Sequence, residues 1–516
     1  MNDNKISKNS IVAKFAVPIS FLILFFLAAN FTDCDLVTFW KRRNHLTDLV
    51  VDMIPPDFSY IQKILLPLFY TIQMSVTGTV LGIFFALVLS PFGAANLGFP
   101  AVIRRILRIV IQILRSFPAL ILALTATFLF GLGTFAGTFA ITLYTFAIMT
   151  KLTYEDASAA DVKAYQALRA MGVSKYVAYI HGILPEIIPG FLTNALYLLE
   201  TNVRHSSILG YVGAGGIGLL LNEKISWLEY DKVGTILLML FLTVCVIEYF
   251  SRYLAALIRK ERTIKKEQAR LLILFLAALF LICTFTLSLP DFSRTSPQTL
   301  RNMFAGFLQP DWSFFFSAEK DGLGYLLLET VCIAFIGTVI GAIVSAPLAF
   351  LNTKRFVPAP VSFLFNLVIM VIRSVPFLVY GLIFIRVSGP GAFTGVLTLA
   401  VCSIGLLTKR FTEALDALDP RPYHALLAMG VRPLPAICHS VLPQLKPVFT
   451  SIILYRFDVN IREASVLGLV GAGGIGAPLI FSMNQYAWEK AGAIMLGLIL
   501  LVWFIDMVSE KIGAGN

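Results

Sequence analysis

The chain carries one sequence pattern twice, and this repeat limits its fold more than any other feature. Short repeats of ~20–50 residues build solenoids, whereas here the repeating unit is half of a 516-residue chain. Whatever fold the first half adopts, the second half is expected to adopt as well. The clearest matches, each 258 residues apart, are Arg115-Ser116-Phe117-Pro118 with Arg373-Ser374-Val375-Pro376, Ala170-Met171-Gly172-Val173 with Ala428-Met429-Gly430-Val431, and Leu184-Pro185 with Leu442-Pro443.

Long apolar runs separate the motifs of both halves. The chain is 58% hydrophobic and 14% charged, whereas soluble domains carry ~25% charged residues. Runs such as Leu65–Pro91, Val233–Ile258 and Tyr325–Leu351 exceed the ~20 residues that cross ~30 Å of hydrocarbon. We count six such spans per half, of which the fourth (Thr134–Ile148 and Gly391–Leu407) is the shortest. The sequence predicts an all-α, polytopic transmembrane protein.

The net charge of +11 comes from cations between the apolar runs. Arg104, Arg105 and Arg108 follow the second span, and residues 259–270 hold six basic residues against two Glu. Cations on the cytoplasmic side explain this excess without nucleic acid as a partner. Six spans return the chain to its starting side, so the repeats are parallel. We predict a first half at 1–258, a basic cytoplasmic linker at 259–270 and a second half at 271–516, with long external loops at 31–62 and 291–321.

Metal and acid–base chemistry have no sequence signal. The six cysteines are scattered without a C-x-x-C pair, so neither zinc nor a disulfide framework is indicated. No His, Asp or Glu cluster suggests an intramembrane enzyme. We expect no metal site and no catalytic residue.

A polar segment joins the fourth and fifth spans of each half. Glu and Ala favour helix, and Gly is tolerated just past a helix end because it can take a positive φ. The segment therefore predicts a helical hairpin on the cytoplasmic face. Its marker residues are Glu155, Ala157 and Gly172, followed by Leu184-Pro185, in the first half, and Glu413, Ala414 and Gly430, followed by Leu442-Pro443, in the second.

These segments resemble the EAA loop of ABC importer permeases, which docks on an ATPase subunit. Each copy departs from Glu-Ala-Ala by one residue, but the interval of thirteen residues from Gly to Pro is the same in both. The chain contains no Gly-Lys dipeptide, so it lacks the phosphate-binding G-x-x-x-x-G-K-[ST]. The resemblance implies two separate ATPase subunits that bind ATP and Mg, with no cofactor on this chain.

Around the fifth span the second half reads Tyr455-Arg456-Phe457-Asp458-Val459-Asn460-Ile461-Arg462, then a glycine-rich string. This pattern resembles the permease of phosphonate ABC importers, and the glycine string alone is also similar to methionine-type permeases. The resemblance implies a MetI-like permease fold with two copies fused, an extracytoplasmic substrate-binding protein and the inner membrane of a prokaryote. The first half departs from the pattern at Leu198-Leu199-Glu200.

Charged residues within spans are the candidates for a substrate path, because they are costly in lipid and usually functional or paired. Glu200 with Arg204 and Asp458 with Arg462 are four apart on one helix face, so each is either a structural ion pair or a gate or substrate contact. The other candidates are Arg456, Asn202 and Asn460, and the glycines expected to allow close backbone approach near the external end, Gly213, Gly215, Gly216, Gly471, Gly473 and Gly474.

Arg115 and Arg373 have no acid within four residues on their helices and stand just before Pro118 and Pro376, where a helix must kink or lose a hydrogen bond. Arg suits bidentate recognition of phosphate-like oxygens. Three roles remain open for them: a cationic path for an anion, a pair with an acid on another helix, or snorkelling to an interface.

The sequence therefore predicts the permease of an importer for phosphonate or a related phosphorus oxyanion. An ABC permease for phosphate, phosphite or a methionine-like solute is the nearest alternative. An ion-driven secondary transporter is the alternative from another class, since such proteins also use parallel six-span halves.

Overall fold

The computed structural model describes residues 19–261, 265–288, 290, 297–317, 319 and 322–514, and within these ranges every regular element is helical. The helices are α1 Ile19–Phe31, α2 Leu36–Asp52, α3 Ile61–Gly93, α4 Ala101–Ser116, α5 Ala119–Phe130, α6 Thr134–Ala159, α7 Lys163–Ala170, α8 Lys175–Gly182, α9 Leu184–Leu209, α10 Ile217–Ser226, α11 Tyr230–Ile258, α12 Lys266–Phe285, α13 Pro297–Leu308, α14 Trp312–Phe315, α15 Leu323–Asn352, α16 Ala359–Ser374, α17 Phe377–Ser388, α18 Ala392–Ala417, α19 Arg421–Ala428, α20 Pro433–Ala436, α21 Leu442–Leu467, α22 Gly476–Asn484 and α23 Trp488–Ala514.

The predicted all-α transmembrane class is confirmed. Eight described helices are long and apolar enough to cross a bilayer, and three bent helix pairs bring the number to as many as eleven. The fourth span of each half is complete, because α6 and α18 each contain 26 residues. The first apolar run of the chain is represented by α1, which is shorter, and residues 11–18 of that run lie outside the described residues.

The third span is broken in both halves. Helices α4 and α5 meet at 95°, and α16 and α17 meet at 87°. Both breaks fall at the Ser-x-Pro sequence, where Pro118 or Pro376 caps the second helix. Proline cannot donate the hydrogen bond that would continue the first helix, so the kink predicted there is confirmed.

The segments predicted as long external loops contain the helices α2, α13 and α14. Helix α14 is capped by Asp311, whose carboxylate accepts hydrogen bonds from the backbone N–H groups of Ser313 and Phe314. Such capping compensates the free N–H groups of a first turn. Residues 291–296, 318, 320 and 321 of these segments lie outside the described residues.

The chain forms two compact units, Leu49–Phe304 and Ala305–Asn516 together with Met1–Asp48. The first helix of each half therefore packs on the core of the other half. In the second unit Phe21 on α1 contacts Phe335 with ring centroids 5.5 Å apart. In the first unit Gln73 on α3 donates to the carbonyl of Cys283 on α12 at 3.0 Å.

The central packing of each repeat joins its second and fourth spans through small residues. A Cβ on Gly78 of α3 would lie 2.7 Å from Ile141 of α6, and one on Gly337 of α15 would lie 2.7 Å from Leu399 of α18. Glycine spaced at small-x-x-x-small lets membrane helices approach closely. The two glycines are 259 residues apart, whereas the motifs from the third span onward are 258 apart. The second half is therefore one residue shorter between its second and third spans.

Candidate coupling hairpins and translocation path

The segments Glu155-Asp156-Ala157 and Glu413-Ala414-Leu415 lie at the ends of the fourth spans rather than in the hairpins. Glu155 is exposed near the end of α6 and forms an ion pair with Lys151 at 3.6 Å. Glu413 occupies the same place on α18 and pairs with Arg410 at 3.1 Å. The placement of the glutamates within the hairpin is wrong, because α6 ends at Ala159 and the hairpin starts with a new helix at Lys163.

The small position of the motif faces a core. Ala157 is fully buried in a cluster that includes Leu97, Tyr165 and Tyr179. In the second half the buried position at the same spacing is Leu415, while Ala414 is only half-buried. The two copies thus differ in the apolar residue at the buried position, Ala157 or Leu415, and both keep the exposed glutamate.

Each hairpin turns at the predicted glycine. Gly172 has φ +84° and Gly430 has φ +83°, the left-handed region that favours glycine. The backbone N–H of Val173 donates to Leu168 at 3.2 Å, and that of Val431 donates to Leu426 at 3.1 Å. These six-to-one bonds close each helix with a Schellman-type motif, so the role predicted for the glycines in the fold is confirmed.

The hairpin tips present methionine to the surroundings. Met171 is 77% exposed and Met429 is 78% exposed. Methionine is flexible and polarizable, and it is used at binding surfaces. The two tips are therefore suited to contact with another protein.

Each hairpin contacts the loop that follows the second span of its repeat. The Tyr165 hydroxyl donates to the carbonyl of Leu97 at 2.7 Å. In the second repeat Tyr423 of the hairpin packs on Phe356, which follows the second span, with ring centroids 5.5 Å apart. Tyr165 and Tyr423 also belong to the buried clusters around Ala157 and Leu415, so a displacement of either hairpin would act on that loop and on the end of the fourth span.

Two asparagines lie at the centre of the fifth spans. The amide of Asn202 donates to the hydroxyls of Thr79 and Thr145, both at 2.8 Å. The amide of Asn460 in the second repeat makes the same bonds, to Thr338 at 2.7 Å and to Ser403 at 2.9 Å. Each asparagine is fully buried and ties α9 or α21 to the second and fourth spans.

The two acid–base pairs predicted on the fifth spans are present. Arg204 donates to the Glu200 carboxylate, and Arg462 donates to that of Asp458. Both pairs are four residues apart within one helix, as their spacing predicted. Their role as a gate or substrate contact stays a prediction.

Arg456 has a partner that the sequence reasoning missed. Its guanidinium pairs with Glu463 at 2.8 Å and its Nε donates to Ser403 at 3.1 Å. Residues seven apart return to the same helix face after two turns, a signal that a search limited to four residues overlooks. In the first repeat the corresponding positions are Leu198 and His205, so this buried ion pair belongs to the second repeat alone among the described residues.

Arg115 and Arg373 stand in the last turns of α4 and α16, next to the bends of the broken spans. Both are half-buried. The stem of Arg373 packs closely on α18, since a Cβ on Gly405 would lie 2.9 Å from its Cγ. The structure thus places both arginines inside their spans beside a helix break, and their contribution to an anion path stays a prediction.

The glycine strings make the same turn in both repeats. Gly213, Gly215 and Gly216 have φ values of +83°, +79° and +79°, and Gly471, Gly473 and Gly474 have +81°, +77° and +77°. Other residues would be strained there.

Span residues hold each string in place. The Ile217 N–H donates to Thr71 on α3 at 2.9 Å, and the Ile475 N–H donates to Thr330 on α15 at 3.1 Å. In the second repeat the Gly474 N–H also donates to the Glu329 carboxylate at 3.0 Å. The close backbone approach expected of the strings is present, and a gating role stays a prediction.

Two repeats of membrane spans with paired internal charges, each carrying a helical hairpin with an exposed tip, define a membrane transport subunit. Residues 78–262 and 337–512 match the family described as "Binding-protein-dependent transport system inner membrane component". The chain belongs to this family and contains its domain twice.

Curated relatives fall in the same class. The chain is 28% identical to the phosphate-import permease protein PhnE of Mycolicibacterium smegmatis over 475 residues, which cover 90% of this chain and 88% of that one. It is 36% identical to the phosphite transport system permease protein PtxC of Stutzerimonas stutzeri over 36% of this chain and 67% of the relative. It is 37% identical to the putative cryptic phosphonate transport system permease protein PhnE2 of Escherichia coli K12 over 23% of this chain and 96% of the relative.

Proposed function

We propose that this chain is the permease of an ATP-driven importer for phosphonate or a related phosphorus oxyanion, in the inner membrane of a prokaryote. The observation that carries the proposal is the pair of hairpins, because a permease with one domain per repeat needs one such contact for each of two ATPase subunits. The family match and the phosphorus compounds in the names of three relatives support the substrate class.

The coupling contact is assigned to the exposed faces of the hairpins and of the adjoining helix ends. Glu155 and Glu413 supply the acids, and Gly172 and Gly430 set the turns that present the methionine tips. Ala157 and Ala414 belong to the packing that holds these ends. The ATPase subunits bind ATP and Mg, and their closure displaces the hairpins together with the spans to which they are fastened.

The anion path is assigned to the arginines and asparagines of the fifth spans, with Arg115 and Arg373 at the bends. Arg204 and Arg462 are neutralised by the carboxylates of Glu200 and Asp458. An anion therefore binds to either guanidinium only by displacing its carboxylate. A phosphorus oxyanion offers the same two-oxygen geometry as a carboxylate. It can therefore replace the carboxylate at the guanidinium without leaving that cation unpaired, and the freed acid can pair with another cation.

Supply from outside is assigned to an extracytoplasmic substrate-binding protein, in keeping with the family description. The glycine strings between the fifth and sixth spans lie at the ends away from the hairpins. They are the candidates for a gate that opens when that protein docks.

Reconstitution tests the proposal. The purified chain is placed in proteoliposomes with its ATPase and binding protein, and uptake of radiolabelled 2-aminoethylphosphonate is measured. We expect uptake that requires ATP and both partners, and that unlabelled phosphonate suppresses more strongly than methionine.

Phosphate and phosphite are the second candidates, favoured by the names of two relatives. Stronger competition by either of them would change the substrate and keep the mechanism. Uptake driven by an ion gradient without ATP would refute the proposed coupling.

A further inference from the structure

Helix α4 of the first repeat has an amphipathic surface in its first three turns. Val102, Ile106, Ile109 and Ile113 follow one another along a single stripe of this helix and are all exposed. Arg104, Arg105 and Arg108 lie on the adjoining face of its first two turns. Together with Lys175 of α8 they form the basic cluster.

The beginning of α4 lies at the hairpin end of its repeat. Arg108 donates to the carbonyl of Gly93, at the end of α3, at 3.1 and 2.9 Å. Lys175 of the hairpin donates to the carbonyl of Gly98. The basic cluster is therefore level with the ends of the spans, where a bilayer changes from acyl chains to headgroups.

Anchoring alone does not account for these arginines. At the position of Arg104 the second repeat has Ser362, which donates to the carbonyl of Asn352 at 2.6 Å and fastens α16 with a short hydroxyl. Arg105 corresponds to Phe363 and Arg108 to Asn366. The second repeat thus builds the same bent span with an apolar helix in place of a basic amphipathic one.

Among the described residues no carboxylate forms an ion pair with Arg104, Arg105, Arg108 or Lys175. Arg104 and Arg108 are oriented by carbonyls, which leave their positive charge uncompensated. In the second repeat the one comparable arginine, Arg355, is held by the carbonyls of Leu415 and Leu418, and Lys354 is its exposed neighbour.

We propose that the basic cluster of α4 binds the phosphate headgroups of anionic phospholipids in the leaflet on the hairpin side. The apolar stripe lies among the acyl chains, and the adjoining arginines reach the headgroups, as in basic amphipathic helices at membrane surfaces. Each cation near an anionic surface contributes about 1 kcal/mol. The lipid contact is confined to the first repeat, so the two repeats of similar fold differ in their contact with the lipid headgroups.

Lipid counting on the full chain tests this inference. The purified chain in zwitterionic detergent is titrated with dioleoylphosphatidylglycerol or dioleoylphosphatidylcholine, and bound lipid is counted by native mass spectrometry. We expect tighter binding of phosphatidylglycerol. The double variant Arg104→Gln/Arg105→Gln should weaken it about 30-fold, which is ~2 kcal/mol for two charges. Arg108 is left in place because it fastens the helix.

Two variants control for folding and for general charge. Arg104→Lys/Arg105→Lys keeps the cations and should retain most of the affinity, whereas Lys354→Gln removes one cation from the second repeat and should change it less than fivefold. Equal binding of both lipids, no effect of the double variant, or an equal loss in Lys354→Gln would overturn the inference. So would displacement of the lipid by millimolar inorganic phosphate, which would make the cluster a site for the free anion.

Discussion

The hairpin turns offer the sharpest test of the coupling surface. A Cβ at Gly172 would meet no atom within 4 Å, so a substitution there is disfavoured only by its φ of +84°. A left-handed conformation costs a non-glycine residue about 1–2 kcal/mol, and more when it is β-branched. For Gly172→Val a cost of ~2 kcal/mol lowers the equilibrium constant of the native turn about 30-fold.

The structure predicts an order among three substitutions at this position. Asn tolerates the left-handed region best, Ala less well and Val least. Uptake per ATP hydrolysed in proteoliposomes should therefore fall in the order Gly172→Asn, Gly172→Ala, Gly172→Val. The same order is expected at Gly430, whose φ is +83° and whose Cβ position is also open.

Gly190 supplies the matched control. It also has open space around its Cβ position, but it lies within α9 and has no positive φ. Gly190→Ala should leave coupling unchanged, because alanine favours helix. The reasoning is refuted if Gly172→Val couples as well as the Gly190→Ala control, or if Asn is more harmful than Val.

Three further predictions concern the spans and the external end. Asn460→Leu removes two hydrogen bonds between helices and should lower stability by about 1–2 kcal/mol, measured by unfolding in mixed micelles. Arg456→Leu should reduce insertion and yield by leaving Glu463 without its cation, at about 2.5–3.5 kcal/mol, and adding Glu463→His should restore yield by copying the first repeat. On α10, ion pairing with Glu229 at 2.9 Å raises the pKa of Lys224 and lowers that of Glu229. Because a lowered acid pKa gives stability that is lost as pH falls through the folded-state pKa, acidification should destabilise the wild type more than Lys224→Met.

Each of these has a control. Thr201→Val removes a hydroxyl that bonds only within its own helix, to Tyr197 at 3.0 Å, and should change stability less than Asn460→Leu. Failure of Glu463→His to improve the Arg456→Leu variant would contradict the ion-pair argument. Equal acid sensitivity of wild type and Lys224→Met in thermal unfolding would remove Glu229 from the explanation.

The sequence predicted those structural features that are determined within a single helix or turn. Run length and the positions of Pro118 and Pro376 gave the spans and their breaks, and glycine at 172 and 430 gave the turns. These features follow from local physics, because backbone hydrogen bonding in lipid must be satisfied within a helix and φ is limited by the side chain.

Features that depend on contacts between helices could not be predicted in this way. The partners of Asn202 and Asn460 lie on other spans, so no spacing in the sequence reveals them. Arg456 and Glu463 are seven residues apart, whereas the predicted pairs rest on a spacing of four. The segments at Glu155 and Glu413 were assigned to the hairpins because their composition favours helix. Composition does not show where one helix ends and the next begins.

The exchanged first helices have a consequence for how the protein is made. Gln73 of the first unit is bonded to α12, which belongs to the second half of the sequence, and Phe335 is covered by α1, which belongs to the first half. If the gene were cut within the linker, neither product could complete its own core. Each product would carry a first helix, α1 or α12, that packs on the other product. A single polypeptide guarantees that both pieces are synthesised in equal number and within reach of each other.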